Sequence, residues 1–273
     1  MFDQGTGACG AQEREGGGAA AVDVRDMAFA YGPGAPLFNG FSWRVAEGSA
    51  WVVIGPSGCG KSTLLYLLAG LRHPSGGVVE VDGTSVSAPR PTTGLILQDY
   101  GLLPWATARE NVALGQRIRG VAPARRREIV DQWMERLGLS HVAHHYPGQL
   151  SGGQRQRVAI ARTLALQPTL LLMDEPFSSL DAMTREELQD LVVELGRDNK
   201  TTTVMVTHSI EEAAFLGKRI LVLGRPPILS GYEMENPQAR EAGYRQRPEF
   251  HDVCARLRRL IYEGRNGVAP KAI

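Results

Sequence analysis

The sequence predicts an α/β fold with a mostly parallel sheet, and three observations carry the prediction. The segment Gly55-Pro56-Ser57-Gly58-Cys59-Gly60-Lys61-Ser62 fits the phosphate-binding loop pattern G-x-x-x-x-G-K-[ST]. An apolar stretch over 51–54 precedes it, and a helical pattern with Leu64, Leu65, Leu67 and Leu68 follows, the strand-to-helix setting that such a loop requires. Farther along, 170–173 and 203–206 read as fully buried strands with a helix over 184–195 between them; strand, helix, strand in sequence implies parallel pairing through a right-handed crossover.

Taken in order, residues 1–21 combine Gly, Ala and charged side chains with few large apolar groups and are expected to form a mobile tail. Residues 22–29 alternate loosely as a first strand, broken by Tyr31-Gly32-Pro33-Gly34. Phe41, Trp43 and Val45 alternate as a second, closed by Glu47-Gly48. Residues 78–81 form a short strand ending in an Asp82-Gly83 turn, and 94–97 another. From 104 to 147 the period becomes helical, with Ile129, Trp133, Met134 and Leu137 three to four residues apart. The run Arg125-Arg126-Arg127 in this stretch reads as a solvated helix face. An amphipathic run over 154–166 stops at Pro168. After a strand over 220–223, a last helix over 248–263 puts Phe250, Val253, Leu257, Leu260 and Ile261 on one face and Arg256, Arg258 and Arg259 mostly on the other, as a helix packed on its own core would.

A chain of 273 residues, 43% hydrophobic and 22% charged, can bury a large core. Thirty basic against 29 acidic residues leave +1, so no overall field recruits nucleic acid or anionic lipid. The longest apolar run, 64–71, falls far short of the ~18 residues that span a bilayer. No signal sequence opens the chain, and a cytosolic protein is expected. Cys9, Cys59 and Cys254 are scattered, suit a reducing compartment and have no metal-binding spacing. Cys59 fills a loop position that the pattern leaves free and reads as a small tolerated side chain.

The glycines of the loop let successive N–H groups turn inward onto an anion, and the helix start behind them adds partial positive charge. Lys61 is placed to reach the β- and γ-phosphates of a nucleotide and the Ser62 hydroxyl to sit on Mg²⁺. Asp174 emerges where the 170–173 strand ends, at the edge where open α/β sheets bind ligands, and can hold Mg²⁺ through water. Glu175 points elsewhere and can polarise the water that attacks the γ-phosphate. His208 ends the strand expected beside it, within reach of the same phosphate and water. Gln98, after 94–97, can touch both Mg²⁺ and the water. Leu150-Ser151-Gly152-Gly153-Gln154 opens a helix with a hydroxyl and two glycine N–H groups, a second anion site. Two phosphate sites in one chain suggest half-sites that meet when two copies pair head to tail.

Together these segments resemble the nucleotide-binding subunit of an ATP-binding cassette (ABC) transporter. The matching pieces are the Walker A loop 55–63, which adds Thr63, the Q-loop glutamine Gln98, and the signature 150–154. The Walker B strand 170–175, the D-loop Ser178-Ser179-Leu180-Asp181 and the switch histidine His208 complete the set. The resemblance implies a P-loop NTPase core with an N-terminal antiparallel β subdomain and a helical signature subdomain over about 99–162. One ABC ATPase domain would span 22–235, and 236–273 would be a C-terminal extension. It also implies that Tyr31 stacks on adenine, that ATP and Mg²⁺ are bound, and that ATP is hydrolysed. Leu102-Leu103-Pro104-Trp105, Asp174-Glu175-Pro176-Phe177, Glu211-Glu212-Ala213 and Arg225-Pro226-Pro227 are similar to the nitrate/sulfonate/taurine-type importer ATPases. Ser209 and Ser179 depart from that pattern, which commonly has Asp and Ala there.

The implied protein is a peripheral subunit on the cytoplasmic face of the cell membrane. Its implied partners are a second copy of itself, integral-membrane permease subunits and, indirectly, a periplasmic or extracellular solute-binding protein; no nucleic acid is expected. Its cargo would be a small anionic or sulfonate-like solute, with sulfonate, nitrate, taurine, bicarbonate and thiamine-precursor pyrimidines all open. An exporter ATPase, or a soluble ABC ATPase acting on nucleic acid or ribosomes, is the competing reading.

Overall fold

In the computed structural model, which describes residues 20–199 and 201–265, the alternating N-terminal pattern becomes strands β1 (Ala20–Phe29) and β2 (Phe38–Ala46). The apolar stretch before the loop is β3 (Ala50–Ile54), and the loop runs into helix α1 (Lys61–Leu68). Short strands β4 (Gly76–Val81), β5 (Thr84–Ser85) and β6 (Thr93–Ile96) follow. A helical stretch then comprises α2 (Ala108–Ile118), α3 (Pro123–Arg136) and α4 (Gly152–Leu164). The second half alternates: β7 (Leu170–Asp174), α5 (Ala182–Asn199), β8 (Thr202–Thr207), α6 (Ile210–Leu216), β9 (Arg219–Val222), β10 (Tyr232–Glu235) and α7 (Pro248–Arg265).

Two sheets result. The antiparallel one has the order β2-β1-β4-β5; Val22 and Val24 face inward, and a register shift between Val24 and Met27 brings Met27 and Phe29 to the same buried side. The other has the order β10-β9-β3-β8-β7-β6, parallel from β9 to β6 with β10 antiparallel at its edge. All residues of β3, β7 and β8 are buried, as strands covered on both faces must be. One apolar core lies between the sheets and encloses α1, with Trp43 and Trp51 edge to face at 5.2 Å. The second covers the other face of the parallel sheet with the helical stretch, α5, α6 and α7.

Several expected boundaries shift. The expected tail lies outside the described residues except for Ala20 and Ala21, which already belong to β1. The strand expected over 94–97 ends at Ile96, and α5 is longer than 184–195 at both ends. Helix α4 starts at Gly152, not 154, because Ser151 caps it: its hydroxyl accepts the Gln154 N–H and the Gln154 amide reaches back to the Ser151 N–H. The pair Gly152-Gly153 therefore forms the first helical turn. The extension after 235 has no core of its own. Asn236 donates to the Ala214 carbonyl at 2.7 Å, Tyr244 donates to Asn236 at 2.7 Å, and Phe250, Leu257 and Leu260 enter the second core. Burial pushes the Cys254 thiol there up to about 11. Among the described residues, no helix is long and apolar enough to cross a membrane.

Gly77 sits at φ +74°, and a Cβ on it would come within 2.3 Å of the Asp26 carbonyl oxygen. Gly77→Ala should therefore cost at least about 1–3 kcal/mol of stability, read as a lowered midpoint in urea unfolding.

Candidate nucleotide site

The phosphate-binding loop links β3 to α1, and its shape depends on Gly60. That residue adopts φ +98°, and a Cβ there would press on Leu37 at 3.0 Å, so a side chain is excluded by backbone and packing together. Lys61 is 7% exposed, and its ammonium donates to the Gly55 and Pro56 carbonyls at 3.0 and 3.1 Å. The cation is thus held folded over the loop by weak acceptors that an anionic phosphate can replace.

Helix α1 then reaches the end of β7. The Ser62 hydroxyl donates to Asp174 Oδ1 at 2.8 Å, and the Tyr66 hydroxyl, one turn on, donates to Oδ2 at 3.2 Å. Asp174 is 3% exposed, and burial pushes its carboxyl above the ordinary range against the opposing pull of these two bonds. A hydroxyl and a carboxylate oxygen in contact are a donor set for a hard cation such as Mg²⁺, which takes few protein ligands and keeps water or phosphate oxygens. Among the described residues no cluster of three or more His, Cys, Asp or Glu side chains could cage a metal, so a site of that limited kind is what the chain offers.

Glu175 continues the parallel ladder by donating its N–H to the Val206 carbonyl at 2.9 Å, but its backbone turns to φ +44°. This left-handed conformation costs a non-glycine residue on the order of 1 kcal/mol. It swings the side chain out of the strand line, and Glu175 Oε2 meets His208 Nδ1 at 2.9 Å. Because a carboxylate only accepts, Nδ1 carries the proton. His208 is held by a brace that sequence reading missed. The Thr207 hydroxyl donates to buried Glu212 at 2.5 Å and accepts the Ser209 N–H at 3.0 Å, while Ser209 caps α6 through the Glu212 N–H. The signal was present as Ser209-x-x-Glu212, a capping-box pattern. Burial pushes the Glu212 carboxyl up, opposed by the Thr207 hydrogen bond and by Arg185 at 3.8 Å.

The other expected residues fall around this centre. Gln98 is exposed just beyond β6, the strand next to β7. Tyr31 is 64% exposed; its hydroxyl shares a 2.8 Å hydrogen bond with Thr63, and its ring rests edge-on against Phe29 at 5.0 Å. Cys59 is buried and its thiol pushed up by burial, consistent with a space-filling side chain. A cavity of about 410 Å³ is lined by Pro56, Ser57, Gly58 and Cys59 together with Arg225 and Pro226. Residues 151–154 line neither this cavity nor a second one lined by Gly55, Pro56, Ser57 and His208. They pack on the segment after Glu175 instead: a Cβ on Gly153 would lie 2.5 Å from Thr184 Cγ2, and one on Gly152 3.4 Å from Leu180.

The family model described as ABC transporter matches residues 38–178. The taurine import ATP-binding protein TauB of Yersinia pestis bv. Antiqua is 46% identical over 194 residues, 71% of this chain and 76% of that protein. TauB of Pseudomonas aeruginosa is 45% identical over 70% of this chain and 73% of its own length. Among solved structures, a dimeric post-hydrolysis state of the ATP-binding cassette MJ0796 bound to ADP and Pi is similar at TM-score 0.70 and 31% identity, covering 78% of this chain and 98% of that one. The cbiO1 protein of Clostridium perfringens, part of the ABC transporter complex cbiONQ, is similar at TM-score 0.74 and 25% identity, covering 89% and 98%. With a phosphate-binding loop, a carboxylate pair, a histidine and a serine-glycine helix start in this arrangement, and with these relatives, the chain belongs to the ABC transporter family.

Proposed function

We propose that this chain is the ATP-hydrolysing subunit of an importer for a small sulfonate-like solute, working as two copies that close head to tail on two ATP molecules. The observation that carries this reading is a split site. The loop, Asp174, Glu175 and His208 gather at one sheet edge, whereas the Ser151 helix start, the other feature built to grip a phosphate, packs on the segment after Glu175, next to Leu180 and Thr184. A second copy supplies the missing grip. The dimeric state of the similar MJ0796 cassette supports such a pair, and the TauB relatives support the import direction and solute class.

In each half-site the exposed Tyr31 ring stacks on adenine, and the N–H groups of the loop take the phosphates. Lys61 exchanges its two carbonyl contacts for β- and γ-phosphate oxygens. Ser62 and Asp174, with Gln98, would hold Mg²⁺, which neutralises charge on the phosphate oxygens. Glu175 Oε1 accepts the proton of the attacking water as the water oxygen bonds to the γ-phosphorus and the bond to the bridging oxygen breaks, yielding ADP and phosphate. His208 holds Glu175 by Oε2 and so aims Oε1. From the partner copy, the Ser151 hydroxyl proton and the N–H groups of Gly152 and Gly153 hold the γ-phosphate, so its departure releases the pair.

Trp105, 74% exposed, is presented for a membrane permease by a stiff loop. Buried Asn111 accepts the Leu103 N–H at 2.8 Å and donates to the carbonyls of Leu103, Ala106 and Thr107 at 3.0–3.1 Å. Docked there, the subunit sits peripherally on the cytoplasmic face of the membrane, and a solute-binding protein on the opposite side delivers cargo.

Glu175→Gln should bind ATP, lower turnover by about 10²–10⁴-fold and accumulate as a dimer on gel filtration with ATP; parent-rate turnover would remove Glu175 as the base. Ser151→Arg should keep ATP binding to the separate copies and lose the ATP-dependent dimer, so a normal dimer would refute the split site. Burial raises the Asp174 pKa in the folded state, so this group's contribution to stability is present at acid pH and is lost as pH rises through that raised value. Asp174→Asn should therefore raise the nucleotide-free melting temperature at pH 8, with the gain shrinking toward pH 4. The same variant should lose the extra thermal shift that Mg²⁺ adds to ATP.

A further inference from the structure

Tyr31 lies just beyond β1, and three contacts hold its side chain. The hydroxyl shares a 2.8 Å hydrogen bond with Thr63 in the first turn of α1, and the ring rests edge-on against buried Phe29 at 5.0 Å. The third contact comes from beyond the far end of the same helix: the Arg72 guanidinium carbon lies over the Tyr31 ring, 5.6 Å from its centroid.

Backbone bonds place Arg72 there. Leu71 and Arg72 both donate their N–H groups to the Tyr66 carbonyl, at 2.9 and 3.1 Å, which fixes the turn after α1. The Arg72 side chain is exposed, and among the described residues its guanidinium has no carboxylate partner. Its contact with the ring is therefore a cation–π pair that no ion pair competes for.

Arg72 covers one face of the ring, yet Tyr31 is 64% exposed, so the opposite face is open. The phosphate-binding loop enters α1 at its N-terminal end, beside Thr63, whereas Arg72 is anchored past its C-terminal end, about 12 Å away along an eight-residue helix. A base tethered to phosphates at the loop approaches the ring from the loop side and meets the open face, with the guanidinium behind it. Two aromatic faces repel through their like quadrupoles; a cation behind one of them draws electron density away from the contact and strengthens the stack.

We propose that Arg72 is a positioning residue for the nucleotide base: it backs the Tyr31 ring, and adenine completes a three-layer stack of guanidinium, phenol and purine. This rests on the adenine-stacking role given to Tyr31 above and adds to base recognition a residue outside the phosphate-gripping loop.

The test measures Mg²⁺-dependent binding to the full chain by isothermal titration calorimetry, with ATP and with inorganic tripolyphosphate, a probe that lacks the base and ribose. Arg72→Ala should raise the ATP Kd about two- to fivefold, the effect expected of an exposed cation–π contact, and leave the tripolyphosphate Kd as it was. Arg72→Lys, which keeps the cation, should recover part of the loss, and in the ATPase assay the change should fall on KM rather than kcat. Added to Tyr31→Ala, Arg72→Ala should cost nothing further, because the cation then has no ring to act through. Equal weakening of ATP and tripolyphosphate would make Arg72 a charge that attracts phosphate, and a full additional loss in Tyr31→Ala would take it out of the stack. Either result overturns the inference, as does an unchanged ATP Kd in Arg72→Ala. If Tyr31→Ala itself binds ATP as tightly as the parent, the adenine reading of Tyr31 falls and this inference with it.

Discussion

The register of β3, β8 and β7 is the constraint on which the rest of this molecule depends. Ile54 lies opposite Thr207, and Asp174 opposite Val206, so three strands end level with one another. Each of those ends is a position to which the proposed mechanism gives a role: the phosphate-binding loop leaves β3, His208 follows β8, and Asp174 closes β7. Parallel pairing makes this possible, because every strand points its C-terminal end at the same edge and every crossover returns the chain to the far side. The cost is burial on both faces, which is why these strands are nearly unbroken Val, Ile, Leu, Met and Thr. A slip of one residue in β8 would carry His208 about 3 Å along the edge and out of reach of Glu175.

Around that edge polar groups are bound in chains, not singly. Ser62 and Tyr66 hold Asp174; Thr207, Ser209 and Glu212 brace the turn that carries His208; His208 holds Glu175. Each link fixes a side chain that must not wander when the nucleotide arrives, at the expense of burying carboxylates that water would solvate better. The raised pKa values of Asp174 and Glu212 record that expense. The left-handed Glu175 is part of the same bargain: local strain in return for a carboxylate that leaves the strand direction.

The helical stretch and the C-terminal segment share one core on the far face of the parallel sheet. Shared packing means that α4, which Ser151 caps, and α7, which flanks the loop, are referenced to the same sheet that holds Glu175 and His208. Motion of the phosphate site relative to either helix is therefore read out through packed side chains, the arrangement that a nucleotide-driven clamp requires.

Much of this was legible before folding. The loop could be read because its chemistry is contiguous: eight successive residues prescribe a backbone that wraps an anion, whatever surrounds them. The strand-end positions of Asp174, Gln98 and His208 followed from apolar runs that stop at a polar residue, and Ser151 from a serine and two glycines set before an amphipathic period. Helix α6 escaped notice because Ser209 was weighed as a departure from a pattern and not as a cap, and β10 because a four-residue edge strand carries too little periodicity. What the sequence by itself determined are local conformations and the residue types at their ends, since these depend on neighbours a few positions away. The order of strands, the contact between Glu175 and His208 across 33 residues, the hold of Tyr66 on Asp174 across 108 and the approach of α7 to the loop were decided only in the tertiary structure. Those pairings arise from burying apolar surface shared by distant segments, and no short stretch of sequence encodes which distant partner will cover it.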